Sequence, residues 1–329
     1  MTLNACRHEH GAAPAAADQL QPRCTADGSF TLWSERFGEC FHSGSGAHAE
    51  AIGKFIAPAQ LERFPAGSRL RVLEVCVGLG YNTAALVEAA AQRRLRLDWT
   101  GLELDPRPLA LALADPGFRA LWQTSSLRAL EQLHTEGSWC SGDGRSGGAW
   151  RLGDARHQIA AVLEGWHGRC DLVLHDAFSP GRCPELWTAE FLTGLARLLK
   201  PSGRLLTYCA AAAVRQALQE AGLELASIAS PTGHASSRQW CHGTVASPTT
   251  LERLSESHAV VRPLSAMERD HLLTRAAEPY RDPTGQASAA VIRAERAERQ
   301  RRHSGESTSA WRRRWGLVRR PRDSPRRAS

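Results

Sequence analysis

Strand-like and helix-like segments alternate between about residues 69 and 246, and this alternation constrains the fold more than any other feature of the sequence. The first segment, RVLEVCV (71–77), is a short apolar run that ends at glycines, as a buried strand of a parallel sheet does. A helix-like segment (82–93) and a second strand (95–103) follow it. The alternation predicts an α/β fold in which helices cover both faces of a mostly parallel sheet.

Later segments extend the predicted sheet. After the second strand, GSWCSGDGRSGGA (137–149) is predicted to be a flexible surface insertion, because it is rich in glycine and serine. Further strands are predicted at 150–153, 170–176, 203–209, 223–229 and 239–246. The last two strands are joined by a loop too short for a crossover helix, so we expect the final strand to pair antiparallel.

Composition divides the chain into four predicted regions. Residues 1–25 are Ala-rich and aperiodic, which predicts a disordered N-terminus. Residues 26–250 hold the alternating pattern and form the main domain, and residues 251–290 are an extension that packs on it. Residues 291–329 are a basic tail rich in Arg and Trp, where thirteen arginines and four acidic residues give a net charge of +9. Since the whole chain carries +7, the basic character belongs to the tail alone.

The spacing of the cysteines and the length of the apolar segments indicate the cellular compartment. The chain has nine cysteines but no C-x-x-C pair, a pattern that favours neither a zinc site nor a disulfide framework. Nowhere do 18 apolar residues run together, and the N-terminus has no continuous apolar segment of the kind found in signal peptides. We therefore predict a cytoplasmic protein with no metal ion and no membrane contact.

A glycine-rich turn, EVCVGLGYN (74–82), follows the first strand. Its glycines let backbone N–H groups approach a ligand closely, and the N-terminus of the next helix completes a nucleotide cradle. Thr83 stands where a dinucleotide fingerprint needs a third small residue, and Glu74 is foreign to that fingerprint. An acidic residue before the turn suits the cationic amino-acid moiety of S-adenosylmethionine. The alternative is a tight turn that binds nothing.

Acidic residues also mark the next two strand ends. Glu103 lies 23 residues after Gly80, where a carboxylate can accept the ribose hydroxyls of a nucleoside. Asp154 and Ala155 follow the third strand, where a carboxylate and a backbone amide can hold an adenine edge. Asp154 is equally suited to cap the helix that follows, and the two roles are compatible.

The most specific motif is DLVLHDAFSP (171–180), followed by PELW (184–187). Asp176 ends a strand at the same sheet edge as the glycines, where open α/β sheets bind ligands. Methyl transfer to a neutral amine requires positioning, exclusion of water and an acceptor for one N–H proton, which a carboxylate beside the apolar Phe178 and Pro180 supplies. The alternative role for Asp176 is a helix cap or turn former. His175 is expected to be buried within the strand.

Further segments extend these motifs, namely FHSGSGAHAE (41–50), GLELDP (101–106), LGDAR (152–156) and LLKPSGRLLTYCAAAAVRQALQEAGLEL (198–225). Together with the motifs above, they resemble the MnmC/MnmD-type tRNA methyltransferases over about residues 28–246. The resemblance implies the class I S-adenosyl-L-methionine-dependent (Rossmann-like) fold. It also implies N-methylation of the 5-aminomethyl group of wobble (2-thio)uridine in tRNA, with the anticodon stem-loop as partner. No second G-x-G-x-x-G motif follows, so the resemblance is to a stand-alone methyltransferase without an FAD-dependent oxidase domain.

The same resemblance implies functional residues. Asp176 would be catalytic, and contacts with the cofactor S-adenosyl-L-methionine are implied at Glu74, Cys76, Gly78, Gly80, Asn82, Glu103, Asp154 and Ala155. Contacts with the acceptor are implied at His42, Ser43, Phe178, Pro180 and Tyr208. Cys76 stands where the family commonly has glycine, which predicts a backbone without positive φ at that position. The segment 231–240 matches the family's Gly-rich basic segment only loosely.

The sequence allows alternatives for the C-terminal tail and for the function. In residues 311–329, Trp311 and Trp315 alternate with arginines, so the tail is a candidate RNA contact, whereas the alternative is a solvated, disordered tail. The rival functions are an aminopropyltransferase or another small-amine methyltransferase, and a non-catalytic RNA-binding protein on the same fold. Binding of S-adenosylmethionine would discriminate the enzymes from the RNA-binding protein.

Overall fold

The computed structural model describes residues 18–44, 46–229, 241–249, 251 and 260–317. Within them the strands are β1 Leu20–Cys24, β2 Phe30–Ser34, β3 Glu39–Cys40, β4 Arg69–Val75, β5 Arg96–Glu103, β6 Ser138–Cys140, β7 Gly147–Leu152, β8 Cys170–His175, β9 Leu199–Thr207, β10 Glu224–Ile228, β11 Thr244–Ser247 and β12 Val261–Pro263. β1, β2 and β3 form a small antiparallel sheet, and the other strands form the main sheet.

Helices alternate with the strands of the main sheet. They are α1 Ala47–Glu50, α2 Ala57–Ala59, α3 Tyr81–Gln92, α4 Arg107–Ala114, α5 Pro116–Ala120, α6 Thr124–Glu136, α7 Ala155–Trp166, α8 Ala189–Leu198, α9 Ala212–Glu220, α10 Ala266–His271, α11 Ala289–Arg302 and α12 Thr308–Arg314. A π-helical turn, Ala51–Ile56, joins α1 to α2. In the described part of the chain, no helix is long and apolar enough to cross a membrane.

The order of the main sheet is β12-β10-β11-β9-β8-β4-β5-β7-β6. The five strands from β9 to β7 are mutually parallel, which confirms the predicted α/β architecture. β11 runs antiparallel to both β9 and β10, as the short final loop predicts. The chain runs from β4 to β5 and β7 on one side, and then to β8 and β9 on the other. The topological switch point therefore lies between β4 and β8, where open sheets bind ligands.

Apolar residues of β4 alternate between two hydrophobic cores, one on each face of the sheet. Val72 packs with Trp99 and Leu130 on the face covered by α3 and α6. Leu73 packs with Val173 and Leu195 on the face covered by α7, α8 and α9. Successive side chains of a strand point to opposite faces, so a fully apolar strand must be buried on both.

The segment 137–149 corrects the expectation of a flexible insertion. β6 and β7 pair antiparallel within it, and Trp139 is buried. A Cβ atom on Gly148 would lie 2.0 Å from the carbonyl oxygen of Trp99, and one on Gly147 would lie 2.7 Å from that of Trp139. The glycines are therefore required by the close approach of neighbouring backbone rather than by flexibility.

The N-terminal boundary also differs from the sequence prediction. The sequence predicts disorder for residues 1–25, whereas β1 pairs with β2 from Leu20 to Cys24. This pairing supplies backbone hydrogen-bond partners to a segment that has no apolar periodicity of its own. Residues 1–17 lie outside the described residues, as do residues 318–329 of the predicted tail and the segment 231–240.

The chain after β12 packs on the main domain. Glu268 of α10 and Arg215 of α9 are both buried and lie 3.1 Å apart, and Arg262 also contacts the carboxylate. Burial alone would raise the pKa of Glu268, but its contacts with Arg262 and Arg215 hold that pKa at about 2. In α12 the Trp311 ring is fully buried and stacks on His271, with ring centroids 4.2 Å apart. Trp311 is thus part of the packing and is not exposed for stacking on RNA bases.

Replacing Trp311 by Ala should lower the free energy of unfolding by about 3–5 kcal/mol, because it removes a large buried ring. Trp315→Ala is the matched control, since Trp315 is 37% exposed and should cost about 1 kcal/mol or less. Chemical denaturation of both variants measures the difference. Equal losses would contradict the docking of α12 on α10.

Candidate functional site

A cavity of about 110 Å³ opens at the carboxyl ends of β4, β5 and β8. The lining includes the predicted catalytic residue, Asp176, and four of the predicted cofactor contacts: Cys76, Gly78, Asn82 and Glu103. The switch point of the sheet therefore brings together the glycine turn, the second strand end and the Asp176 strand end.

The glycine turn has three residues with positive φ: Cys76 at 66°, Gly78 at 56° and Gly80 at 87°. A Cβ atom on Gly80 would lie 2.9 Å from the Leu109 side chain, so this glycine also lets the turn pack closely against α4. Gly80 is not on the cavity wall. The prediction for Cys76 is wrong, because its backbone does adopt the left-handed conformation. A non-glycine residue there stores backbone strain, which often occurs at functional sites.

Glu103 fixes the turn from the end of β5. Its Oε2 accepts a hydrogen bond from the Gly78 N–H at 2.8 Å, and its Oε1 accepts those of Leu104 and Asp105 at 2.7 and 2.9 Å. Burial raises the pKa of Glu103, although these three N–H groups counteract the rise. A carboxylate offers about four lone-pair positions, so the three bonds leave Oε2 able to accept from a ligand hydroxyl.

Glu74 lies beneath the turn rather than on the cavity wall. Its Oε2 accepts hydrogen bonds from Thr83 Oγ1 at 2.8 Å and from Trp99 Nε1 at 2.9 Å. Its Oε1 has no hydrogen-bond partner among the described residues. Complete burial raises the pKa of Glu74 to about 8, so the group is mostly protonated at pH 7. The structure thus assigns Glu74 to support of the turn and corrects the expected direct contact with a cation.

The structure does not bring Asp154 and Ala155 to the cavity wall either. Asp154 caps α7, accepting from the Arg156 N–H at 2.9 Å. Burial would raise the pKa of Asp154, but hydrogen bonds from Arg156 hold it below its ordinary value. The guanidinium of Arg156 also donates to Asp282 at 2.9 Å, so this strand end is tied to the C-terminal extension.

Asp176 lies between this cavity and a second one of about 320 Å³. Its Oδ2 accepts a hydrogen bond from Asn82 Nδ2 at 2.8 Å, which joins the start of α3 to the end of β8. Burial raises the pKa of Asp176 to about 7, although the Asn82 hydrogen bond opposes the rise. Asn82 and Asp176 line both cavities, as do three ring-bearing residues, Phe41, His42 and Phe178.

Four of the five expected acceptor residues line the second cavity: His42, Ser43, Phe178 and Tyr208. Pro180 is buried but lies on neither wall, which corrects that expectation. Burial lowers the pKa of His42 to about 4, so its ring is neutral at pH 7. Its Nδ1 lies 3.1 Å from the Thr31 hydroxyl. His175 is buried within β8, as expected, and contacts the Leu186 carbonyl at 2.9 Å.

Sequence reasoning missed other residues of the two cavities, among them Phe37 on the first and Lys54 on the second. Phe37 stacks on Phe178 with ring centroids 4.4 Å apart, and Phe41 meets it edge-on at 4.8 Å. Lys54 and Glu50 form an ion pair of 2.6 Å on the cavity wall. The phenylalanines and Glu50 lie in or next to the motif FHSGSGAHAE, so that motif was the available signal.

The positive φ of Cys76 predicts how substitutions at this position change the free energy of unfolding. Val is β-branched and disfavours positive φ, so Cys76→Val should lower the free energy of unfolding by about 2 kcal/mol more than Cys76→Gly. The same change at Cys170, in the extended backbone of β8, is the control and should cost less than at Cys76. Denaturant titration of the three variants measures this. Equal losses for the two Cys76 variants would contradict the positive φ.

Known proteins resemble this chain in sequence and in fold. Residues 149–244 match the model of a family described as S-adenosyl-L-methionine-dependent methyltransferase. The bifunctional protein MnmC of tRNA 5-methylaminomethyl-2-thiouridine biosynthesis from Cupriavidus necator is 31% identical over 232 residues, which cover 64% of this chain and 33% of the relative. The MnmC protein of an Azoarcus species is 33% identical over 211 residues, covering 59% and 31%. The chain therefore spans about a third of the length of these relatives.

The fold has a solved counterpart. The crystal structure of MnmC2 from Aquifex aeolicus superimposes with a TM-score of 0.69 and 27% sequence identity, covering 87% of each chain. The resemblance to MnmC-type proteins that the sequence indicates is thus confirmed. The match of residues 149–244, the superposition on MnmC2 and the order of the sheet show that the chain has the class I S-adenosyl-L-methionine-dependent methyltransferase (Rossmann-like) fold.

Proposed function

We propose that this chain methylates the primary amine of the 5-aminomethyl group on wobble (2-thio)uridine of tRNA in the cytoplasm. The Asn82–Asp176 hydrogen bond at the junction of the two cavities carries the proposal, because it puts one carboxylate between a donor site and an acceptor site. The nucleoside is suggested by the MnmC relatives, which are named for tRNA 5-methylaminomethyl-2-thiouridine biosynthesis.

The first cavity fits S-adenosyl-L-methionine by its chemistry. The remaining lone pair of Glu103 suits a ribose hydroxyl, and the positive φ at Gly78 lets the backbone approach the ligand. The N-terminus of α3, which carries Asn82, favours the carboxylate of the methionine moiety. Asp154 and Ala155 directly follow β7, the neighbour of β5, and would hold the adenine edge beyond Glu103.

The second cavity would hold the amine. S-adenosyl-L-methionine, when bound, would supply an electrophilic methyl group, with its sulfur becoming a neutral thioether as the S–C bond breaks and the new N–C bond forms. Asp176 would accept one proton of the methylated ammonium. A carboxylate with a pKa near 7 suits this role at neutral pH, whereas neutral His42 with a pKa of about 4 is a weak base. Phe37, Phe41 and Phe178 help to exclude water.

Lys54 argues against the aminopropyltransferase alternative. That reaction uses a polyamine, which acidic residues would have to hold as a cation. Lys54 lines the acceptor cavity and pairs with Glu50 at 2.6 Å, so a cation stands on the wall that would have to bind a polycation. An uncharged amine on a pyrimidine ring suits the same wall better.

The anticodon stem-loop is the proposed partner, and the C-terminal tail is a proposed second contact. Burial of Trp311 removes one of the two rings considered for base stacking. Trp315 is 37% exposed, and Arg312 and Arg313, which precede it in α12, are exposed as well. Such a surface would bind phosphates electrostatically, so its contribution should weaken with added salt.

Asp176→Asn should lower kcat by roughly 10²- to 10⁴-fold, because the amide cannot accept the amine proton as a base does. Binding of S-adenosyl-L-methionine, measured by calorimetry, should persist. Asp171→Asn is the matched control, since Asp171 lies at the opposite end of β8 and pairs with Lys200. Full turnover by Asp176→Asn would refute the catalytic assignment, and absence of cofactor binding to the wild-type chain would favour the RNA-binding alternative.

The activity should rise with pH through about 7, as Asp176 loses its proton. The groups that act on this carboxylate are Asn82 and Lys54, which lower its pKa, and Glu50, which raises it. Asn82→Ala removes a hydrogen bond to the charged form, so the acidic limb of the kcat/KM profile should move to higher pH. Ionisation of the substrate amine is the same in both enzymes and cancels. An unmoved limb would contradict Asp176 as the titrating base.

A further inference from the structure

Lys54 is a cation built into the acceptor cavity. It lies on the π-helical turn Ala51–Ile56, and its side chain is only 17% exposed. In the part of the chain that the structure describes, no other lysine or arginine lines this cavity. Single π-helical turns are rare and occur frequently at functional sites, where they re-aim a side chain.

The position of the ammonium is fixed by Glu50. The Nζ of Lys54 donates to Glu50 Oε1 at 2.6 Å, and Glu50 Oε2 accepts from the Ser43 N–H at 3.1 Å. The Ser43 hydroxyl also donates to Glu50. Glu50 therefore ties the cation to the His42-Ser43 segment that closes the cavity. Tyr208 lies on another side, with its ring centroid 5.8 Å from Nζ.

The ammonium retains capacity to bind a ligand. A lysine has three N–H donors, and the described residues take one of them, at Glu50. The chain has only two lysines among 41 cationic residues. A lysine is a compact point charge with a flexible stem, whereas an arginine would present a planar fork. The cavity therefore offers a small, directed charge and not a wide anion clamp.

We propose that Lys54 is a specificity-determining residue that donates hydrogen bonds to a carbonyl or thiocarbonyl group of the acceptor pyrimidine and repels the protonated form of the substrate amine. This inference rests on the proposed function. The 4-carbonyl of the pyrimidine lies next to the carbon that bears the aminomethyl substituent, whereas the 2-carbonyl or 2-thiocarbonyl lies across the ring. The Lys54 ammonium would then position both the pyrimidine ring and its amine relative to Asp176.

The charges around the cavity explain why a cation is needed there. Glu39, Glu50 and Asp176 line the same cavity, and without Lys54 their field would favour the ammonium form of the substrate. An ammonium has no lone pair and cannot attack the methyl group. Glu39 accepts the Ser179 N–H at 3.0 Å, and His42 is neutral, so Lys54 is the group that opposes this field.

The test compares Lys54→Met and Lys54→Arg with the wild-type chain on an anticodon stem-loop that carries 5-aminomethyluridine. Lys54→Met keeps the stem length and removes the charge. It should raise the acceptor KM by about tenfold or more, the loss expected for a hydrogen bond to a charged donor. It should also move the acidic limb of the kcat profile to higher pH, because kcat reports the ionisation of the bound amine whereas kcat/KM reports that of the free substrate. Compared with Lys54→Met, Lys54→Arg should return the pH profile closer to that of the wild type than the acceptor KM. Arginine restores the positive charge but not the compact shape of the lysine ammonium.

Affinity for S-adenosyl-L-methionine separates recognition from structure. Lys54 does not line the donor cavity, so Lys54→Met should leave this dissociation constant unchanged. Lys200→Met, which removes the other lysine far from the cavity, should leave both the acceptor KM and the pH profile unchanged. A wild-type acceptor KM and pH profile in Lys54→Met would overturn the inference, as would equal losses of cofactor affinity and acceptor affinity. An inactive wild-type chain would overturn the proposed function itself, and the inference with it.

Discussion

The hydrogen bond between Asn82 and Asp176 is the contact on which the site depends. It joins the first turn of α3 to the end of β8, the two elements on either side of the switch point. The parallel register of β4 and β8, in which Val75 faces His175, sets their relative height. A shift of that register by one residue would turn the side chains of β8 to the other face. The strand pairing thus determines whether a single carboxylate can serve both cavities.

The sequence predicts the parallel part of the fold well, for a physical reason. Strands buried on both faces are mostly apolar, so the segments 71–77 and 171–175 stand out without knowledge of their neighbours. Glycine turns and acidic strand ends then mark the ligand edge, which correctly brings Gly78, Asn82, Glu103 and Asp176 to one cavity. The local sequence pattern is sufficient to predict a site residue when its position at the end of a strand alone determines that it lies at the ligand-binding edge of the sheet.

Features that depend on contacts distant in sequence were missed. Glu74 precedes the glycine turn as expected, but its direction is set by Thr83 and Trp99, which turn it away from the cavity. The glycines at 147–148 resemble a flexible loop until the backbone of Trp99 is placed beside them. In the sequence Trp311 resembles an exposed ring of a basic tail, but in the structure it is covered by His271. In each case the deciding partner lies at least nine residues away, beyond the reach of a motif.

We propose that one cavity binds the methyl donor and the adjoining cavity binds a neutral amine, with Asp176 between them. Mass spectrometry of nucleosides tests it most directly, after a tRNA bearing 5-aminomethyluridine is incubated with the purified chain and S-adenosyl-L-methionine. The account predicts that the 5-aminomethyl nucleoside is converted into its 5-methylaminomethyl form. An unchanged nucleoside in the presence of a chain that has bound the donor would contradict it.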